Sequence, residues 1–183
     1  MLFRSTFMRF QEYYESPNPN FRGKTFTRGE YLSWYSKERG YNSYSSDWSG
    51  YNFPSYVLTP FKCGQFDPLT DKELEFLNFF KYRHDNFYII GANDDSVIRH
   101  ELSHALYYTN SNYYREINAI LDSYHEELDN LNDHLITMGY CVEVLYDEIQ
   151  AYITEGCSNY IVDNAPKHLV NDIMAIFDKY STQ

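Results

Sequence analysis

Cysteine is scarce in this 183-residue chain, and this scarcity excludes two kinds of scaffold. The three cysteines, Cys63, Cys141 and Cys157, are odd in number and form no CxxC pair. This pattern argues against a disulfide framework and against a cysteine-based zinc finger. Free thiols survive in a reducing compartment, so we expect an intracellular, cytoplasmic protein.

Positive charge and long apolar runs are also lacking. The chain has 15 basic and 26 acidic residues, a net charge of −11 at pH 7. Such a protein repels the phosphates of nucleic acid and anionic lipid, which argues against nucleic acid as its main partner. No apolar run approaches the roughly 20 residues that cross a bilayer, and the N-terminus has no apolar stretch of signal-peptide length. We therefore expect a soluble protein without a membrane partner.

Aromatic residues are plentiful instead, at 19% of the chain with 20 tyrosines and 13 phenylalanines. Residues 1–60 combine them with turn-forming Ser, Asn and Gly every few positions, so long helices are not expected in most of this segment. A short helix over residues 29–40, ended by Gly40, is the exception. Because disordered chains are poor in aromatics, we predict that the segment is ordered and wraps over the rest of the domain.

The rest of the chain is predicted to be mostly helical. The fold class that we expect is α+β, predominantly helical, in a single domain over residues 1–183, with 1–60 as the loop-rich wrapping segment and 61–183 as the core. Strands are predicted at residues 55–62 and 86–91. Apolar residues at helical spacing predict helices over residues 69–83, 96–108, 117–138 and 141–156, and a last helix opened by Asn164 and Pro166. Thr70 and Glu73 are expected to form a capping box at the start of the first of these. The helix over 117–138 should end at Gly139 and could be broken at 130–133.

The segment HELSH, residues 100–104, matches the pattern H-E-x-x-H. His100 and His104 lie one helical turn apart on one face, so both imidazoles can reach the same ion. Glu101 is placed to act as a general base on a zinc-bound water. We expect Ile98, Leu102 and Ala105 to pack behind this face, with Val97 and Tyr108 in front. Two histidines satisfied by hydrogen bonds in a core would be the alternative.

A catalytic zinc ion needs a third protein ligand. The residues after His104 read YYTNSN and lack the H-x-x-G-x-x-H extension, so a third histidine of that kind is excluded. A glutamate from a later helix is the other common solution. Glu148 is the best candidate because it lies mid-helix, one helix downstream, with small Ala151 one turn on. Other candidates are Glu155, on the same face as Glu148, and His125 and His134 on the intervening helix, whereas Asp147 and Glu143 are expected to point elsewhere.

Over roughly residues 86–156 the chain resembles the gluzincin group of zinc metallopeptidases, in which HExxH on one helix is completed by a glutamate on a following helix. The resemblance implies a zincin-like fold with a small N-terminal sheet and one Zn²⁺ per chain, held by His100, His104 and Glu148. It also implies hydrolysis of a protein or peptide substrate, with Glu101 as general base and a Tyr or His donor for the oxyanion. We assign that donor to Tyr152, one turn after Glu148, from a set that also contains Tyr108, Tyr160 and His168. Glu155 or Asp147 could orient a ligand histidine.

Two functions follow from these residues. The first is a compact zinc endopeptidase. The second is a non-catalytic or regulatory protein that keeps a zincin scaffold and binds a partner through an acidic, tyrosine-rich surface. The intact Glu101 favours the first, because a scaffold without activity has no use for a general base.

Overall fold

The computed structural model describes residues 3–47, 50–83, 85–92 and 97–182, and it is mostly helical with one small antiparallel sheet. The Cα positions group into two compact units, Met1–Ile89 (unit 1) and Ile90–Gln183 (unit 2). The boundary between the two units lies at residues 89 and 90, whereas the change in composition lies near residue 60. Among the described helices, none is both long and apolar enough to cross a membrane.

Unit 1 has two long helices near its start, which corrects the prediction that residues 1–60 form mostly loops. Its elements are α1 (Phe3–Glu15), α2 (Arg28–Arg39), α3 (Tyr44–Asp47), β1 (Gly50–Pro54), a 3-10 turn (Ser55–Val57), α4 (Leu58–Lys62), α5 (Asp71–Phe79) and β2 (Tyr88–Ala92). The predicted short helix and its end at Gly40 are confirmed, since Gly40 adopts φ +80° after α2. The capping box of Thr70 and Glu73 at α5 is also confirmed.

The strand predicted at residues 55–62 is wrong, because these residues form the 3-10 turn and α4. Pro60 falls in the first turn of α4, where its missing N–H is not needed, so a proline that suggested a strand end is equally suited to a helix start. The strand lies just before it, as β1, and pairs with β2 in a two-stranded sheet. The strand predicted at residues 86–91 is confirmed as β2.

Aromatic rings fill the core of unit 1. Phe61 stacks between Phe10 and Phe66, with ring centroids 3.9 Å apart on each side. Two charged groups are buried beside these rings. Arg9 forms an ion pair with Glu73 and also donates to the carbonyl oxygen of Phe66 at 2.8 Å. Because every strong donor and acceptor of this pair has a partner, a tyrosine- and phenylalanine-rich core can contain it.

Unit 2 is built from helices alone in its described part after β2, and it contains the HELSH segment. The elements are α6 (Ile98–Thr109), α7 (Ser111–Ser123), a 3-10 turn (His125–Glu127), α8 (Asp129–Met138), a 3-10 turn (Val142–Val144), α9 (Leu145–Thr154), α10 (Tyr160–Asn164) and α11 (Lys167–Ser181). The predicted helix over 117–138 is broken, but at residues 124–128 rather than 130–133. The expected end at Gly139 is confirmed by its φ of +109°.

The core of unit 2 is aliphatic, in contrast to that of unit 1. Ile117, Leu121, Ile149 and Ile173 are fully buried in it, together with the aromatic side chains of Tyr113 and Phe177. Burial of each such side chain contributes about 1.5–3 kcal/mol. This core fixes α7, α9 and α11 against one another, and α9 in turn packs against α6. The site described next lies between α6 and α9.

Candidate metal centre

Helix α6 contains the three polar side chains of the HELSH segment, His100, Glu101 and His104. Glu101 is 6% exposed and His104 is 2% exposed, and both lie on the side of α6 that meets α9. Leu102 packs against the core of unit 2, as the sequence pattern predicts. Ile98 does not, because 43% of its surface is exposed, so its expected place behind the helix is wrong. Residues 93–96, which include the predicted capping residues, lie outside the described part of the chain.

His100, His104 and Glu148 form a group of possible metal ligands whose ligating atoms all lie within 4.8 Å of one another. The two Nε2 atoms are 3.1 Å apart. Glu148 Oε1 lies 3.7 Å from His104 Nε2, and Glu148 Oε2 lies 3.8 Å from His100 Nε2. The three side chains that the sequence analysis selected as ligands are thus brought together by α6 and α9.

These distances fit a zinc ion. Ligand atoms at about 2.0–2.1 Å from a tetrahedral zinc are about 3.3 Å from one another, close to the spacing observed here. Glu148 is 3% exposed, yet its Oε2 atom has no hydrogen-bond partner. A buried carboxylate oxygen without a donor is costly, and a metal cation beside it would satisfy it. The donor set of two imidazoles and one carboxylate is also one that zinc accepts.

Two further carboxylates contact the opposite nitrogens of the histidine rings. Asp147 Oδ1 lies 2.8 Å from His104 Nδ1, and Glu155 Oε1 lies 3.0 Å from His100 Nδ1. The first contact is a hydrogen bond, whereas the second is close but not aligned as one. A carboxylate at Nδ1 favours the tautomer that leaves the Nε2 lone pair free for a metal. Asp147 therefore faces the site, which corrects the expectation that it points elsewhere, and Glu155 lies at the ring atom that faces away from Glu148.

A buried hydrogen-bond chain runs from Asp147 into the core. The Nε2 amide of Gln150 donates to Asp147 Oδ1 at 3.0 Å and to Ser103 Oγ at 3.2 Å. Its Oε1 atom accepts from the Tyr113 hydroxyl at 2.6 Å. Gln150, Ser103 and Tyr113 are all fully buried. Because each polar atom is engaged, this chain holds Asp147, and through it His104, in one orientation.

At the cluster, burial and neighbouring side chains of opposite charge act in opposite directions on the pKa of His104 and on that of Glu148. Burial alone would lower the pKa of His104, but the neighbouring carboxylates of Asp147 and Glu148 outweigh it and raise that pKa well above its usual value. Burial raises the pKa of Glu148, against the opposing effect of the two histidines. The charge of Glu101 contributes to both shifts, so its carboxylate lies in the same electrostatic neighbourhood. A group of carboxylates around two imidazoles is therefore an environment that favours a cation.

Tyr152, the predicted oxyanion donor, lies beside the cluster. Its ring meets the His100 ring edge to face, with centroids 4.9 Å apart. Its hydroxyl is 3.1 Å from that of Tyr140. Burial raises the pKa of Tyr152 to about 12, which keeps the phenol protonated and able to donate near neutral pH. The structure thus places Tyr152 at the site, and its role there stays a prediction.

Sequence reasoning missed Gln150, Tyr113 and Ser103, and it misplaced Asp147. Asp147 and Gln150 are three residues apart on α9 and so share a face, which is a signal that the sequence does contain. Tyr113 is one of 20 tyrosines, and its spacing carries no such signal.

Comparisons of the chain with protein-family models, with curated proteins and with solved structures give no match.

Proposed function

We propose that this protein is a zinc metallopeptidase of zincin type, with His100, His104 and Glu148 as ligands of one Zn²⁺. The observation that carries the proposal is the buried Oε2 atom of Glu148, which has no hydrogen-bond partner, beside two Nε2 atoms 3.1 Å apart. Core histidines satisfied by hydrogen bonds, the alternative from sequence, leave that carboxylate oxygen unexplained. The general base of the HExxH pattern, Glu101, is on the same helix and is buried beside them.

The residues of the chain divide into three tasks in this proposal. A zinc ion held by His100, His104 and Glu148 would supply an activated water and a polarised substrate carbonyl. Glu101 accepts the proton of the attacking water and returns it to the leaving amine. Asp147 and Glu155 orient the two ligand imidazoles, and the Tyr152 hydroxyl donates to the oxyanion.

The Glu101→Gln variant tests the hydrolytic part of the proposal. Removal of the general base should lower the rate of peptide-bond hydrolysis by roughly 100-fold or more, because proton transfer contributes about that factor. The substrate is an unfolded protein mixture, and cleavage is followed by the release of new amino termini. Glu143→Gln is the matched control, because Glu143 is an exposed glutamate outside the ligand set, and it should leave the rate unchanged.

Elemental analysis of both variants tests the metal separately. We expect close to one zinc per chain in the wild type and in Glu101→Gln, since Glu101 is not a ligand. If the wild type binds zinc but hydrolyses peptide bonds no faster than Glu101→Gln, the proposed hydrolytic activity is contradicted. That result would favour a zinc-binding protein that acts on a partner. Absence of stoichiometric zinc after purification with the metal would contradict the site itself.

A further inference from the structure

The net negative charge of the chain comes from the unit that contains the metal cluster. Residues 1–89 carry 11 basic and 10 acidic residues, a net charge of +1. Residues 90–183 carry 4 basic and 16 acidic residues, a net charge of −12. The acidity of the protein is therefore not a general property of its surface, since unit 2 accounts for all of it.

Local cations do little to cancel this charge. Three of the four basic residues of unit 2 are engaged within it, since Arg99 pairs with Asp178, Lys179 pairs with Glu116, and Arg115 donates to Asn112. Arg99 also donates to the carbonyl oxygen of Thr154 at 2.8 Å. These contacts fix the positive groups in intramolecular pairs, so they are not arranged to receive an anionic ligand.

The carboxylates at the cluster outnumber the charges that a zinc ion would bring. With a zinc ion bound, the carboxylates of Glu101, Asp147, Glu148 and Glu155 would together bring four negative charges, against two positive charges from Zn²⁺ and none from neutral ligand imidazoles. Glu148 is nearly fully buried, and its Oε2 atom has no hydrogen-bond partner and lies 3.8 Å from His100 Nε2, so a cation held by the cluster would satisfy it. The place where a scissile carbonyl would arrive thus stays negative after the metal is bound.

We propose that the substrates of this site are cationic polypeptides, rich in lysine and arginine around the cleaved bond. This inference rests on the proposed hydrolytic function and specifies its substrate class. A strongly negative field around a cleft raises the local concentration of positive ligands and their association rate. It repels acidic peptides to the same degree, so the field selects as well as attracts.

Coulomb's law with Debye screening gives the size of the effect. A unit of this length, taken by itself, is a sphere of about 16 Å radius. With the two charges of zinc included, the unit carries −10. At about 0.15 M salt this charge favours each positive charge placed at the surface by about fourfold, and at about 1 M salt by about twofold. A peptide with several lysines should therefore gain one to two orders of magnitude over a neutral one at low salt, and much less at high salt.

The experiment compares three synthetic peptides with one sequence framework and a fluorophore–quencher pair, in which about four variable positions are all lysine, all glutamine or all glutamate. For each we would measure kcat/KM with the zinc-loaded wild type, and the dissociation constant with Glu101→Gln, at about 0.15 M and about 1 M salt. The lysine peptide should exceed the glutamine peptide by roughly tenfold or more at the lower salt, and the glutamate peptide should be the poorest.

A charge-neutralised variant provides the matched control. Glu126→Gln, Glu127→Gln, Asp133→Asn and Asp172→Asn together remove four exposed negative charges of unit 2 outside the metal cluster. The preference for each added lysine should fall from about fourfold to about 2.5-fold, while cleavage of the glutamine peptide stays unchanged. This result would separate the field of the unit from specific contacts in the cleft.

The possible outcomes separate the two proposals. Equal cleavage of all three peptides, or a preference for the glutamate peptide, would overturn the inference and leave the hydrolytic function standing. Salt-sensitive binding of the lysine peptide without cleavage of any peptide would support the inference on ligand class and overturn the hydrolytic function. Neither binding nor cleavage of any of the three would overturn both.

Discussion

Gln150 provides a test of how the histidine ligands are held. Its amide connects Tyr113 and Ser103 to Asp147, which in turn contacts His104 Nδ1. Gln150→Leu fills nearly the same volume but removes the donor to Asp147, so the carboxylate gains freedom to turn away from the His104 ring. Loss of a group that orients a metal ligand typically lowers metal affinity by about 10–100-fold. We expect the zinc dissociation constant to rise within that range.

The same substitution also costs stability, and the two effects must be measured apart. It leaves the buried Tyr113 hydroxyl without its acceptor, at about 1–3 kcal/mol, whereas the Ser103 hydroxyl still donates to the carbonyl oxygen of His100 at 2.6 Å. Urea unfolding of the metal-free protein gives this loss. Competition with a chelating dye, under conditions where both proteins are folded, gives the zinc dissociation constant. Tyr113→Phe removes only the far end of the chain and should weaken zinc binding by a smaller factor than Gln150→Leu.

Asn118→Leu is the matched control. Asn118 and Tyr107 form another amide–tyrosine pair in unit 2, at 3.0 Å and 2.9 Å, and the pair joins α6 to α7 with no hydrogen bond between Asn118 and Asp147. We expect this variant to lose some stability but to keep its zinc affinity within about threefold, well below the 10–100-fold range of groups that orient a ligand. If Gln150→Leu and Asn118→Leu have the same zinc affinity, the hydrogen-bond chain does not position His104 and the reasoning is wrong.

Two further substitutions test the third ligand and a buried acid in unit 1. By elemental analysis, Glu148→Gln should bind only a small fraction of one zinc per chain. Glu155→Gln, which affects only the far side of His100, should retain most of its zinc. The opposite order would make Glu155 the ligand. Burial raises the pKa of Glu12 to about 7 from 4.5, although Tyr31 and Tyr44 both donate to its carboxylate. The folded chain therefore holds this proton more tightly than the unfolded chain, and the free energy of unfolding should fall by about 3 kcal/mol as the pH rises from about 4.5 through about 7. Urea unfolding at several pH values should show this loss in the wild type and a flatter profile in Glu12→Gln; parallel profiles would contradict it.

The sequence predicts the local features of this fold well, because they depend on neighbouring residues. The helix over HELSH, the capping box of Thr70 and Glu73, and the positive φ at Gly40 and Gly139 each follow from a pattern a few residues long. Helix α1 differs from the expectation for residues 1–60 because Phe7, Phe10 and Tyr14 recur at helical spacing, whereas the turn-forming residues begin only after them. There the spacing of apolar residues is the stronger signal.

The metal centre was predictable only in part, for a related reason. His100 and His104 are set by one helix and are visible as a motif, whereas Glu148 depends on how α9 packs against α6, and its selection needed the resemblance to a known pattern. Asp147 faces His104 rather than solvent because Gln150 and Tyr113 hold it there. Contacts that join residues 37 or more positions apart leave no periodic trace in the sequence. A single amino-acid sequence therefore does not predict them.

Zinc binding should raise the thermal stability of unit 2. This effect can be measured separately from the stability of unit 1, because each unit has its own core. Glu148 is buried among other carboxylates, so a bound cation removes a repulsion that the fold otherwise retains. Zinc at 1,000 times its dissociation constant stabilises the folded state by about 4 kcal/mol, which for a unit of this size is a rise in Tm of roughly 15 °C or more. Both tryptophans, Trp34 and Trp48, fall within residues 1–89, so tryptophan fluorescence follows unit 1 while far-ultraviolet circular dichroism follows the helices of both.

We therefore expect zinc to raise the Tm seen by circular dichroism in the wild type and to leave that of His104→Ala unchanged. If the units unfold separately, the tryptophan transition should move less than the helical one, because the aromatic core of unit 1 contains none of the three ligands. A zinc-dependent rise of equal size in His104→Ala would place the stabilising ion elsewhere. A tryptophan transition that moved while the helical one stayed in place would assign the ion to unit 1, against the geometry of α6 and α9.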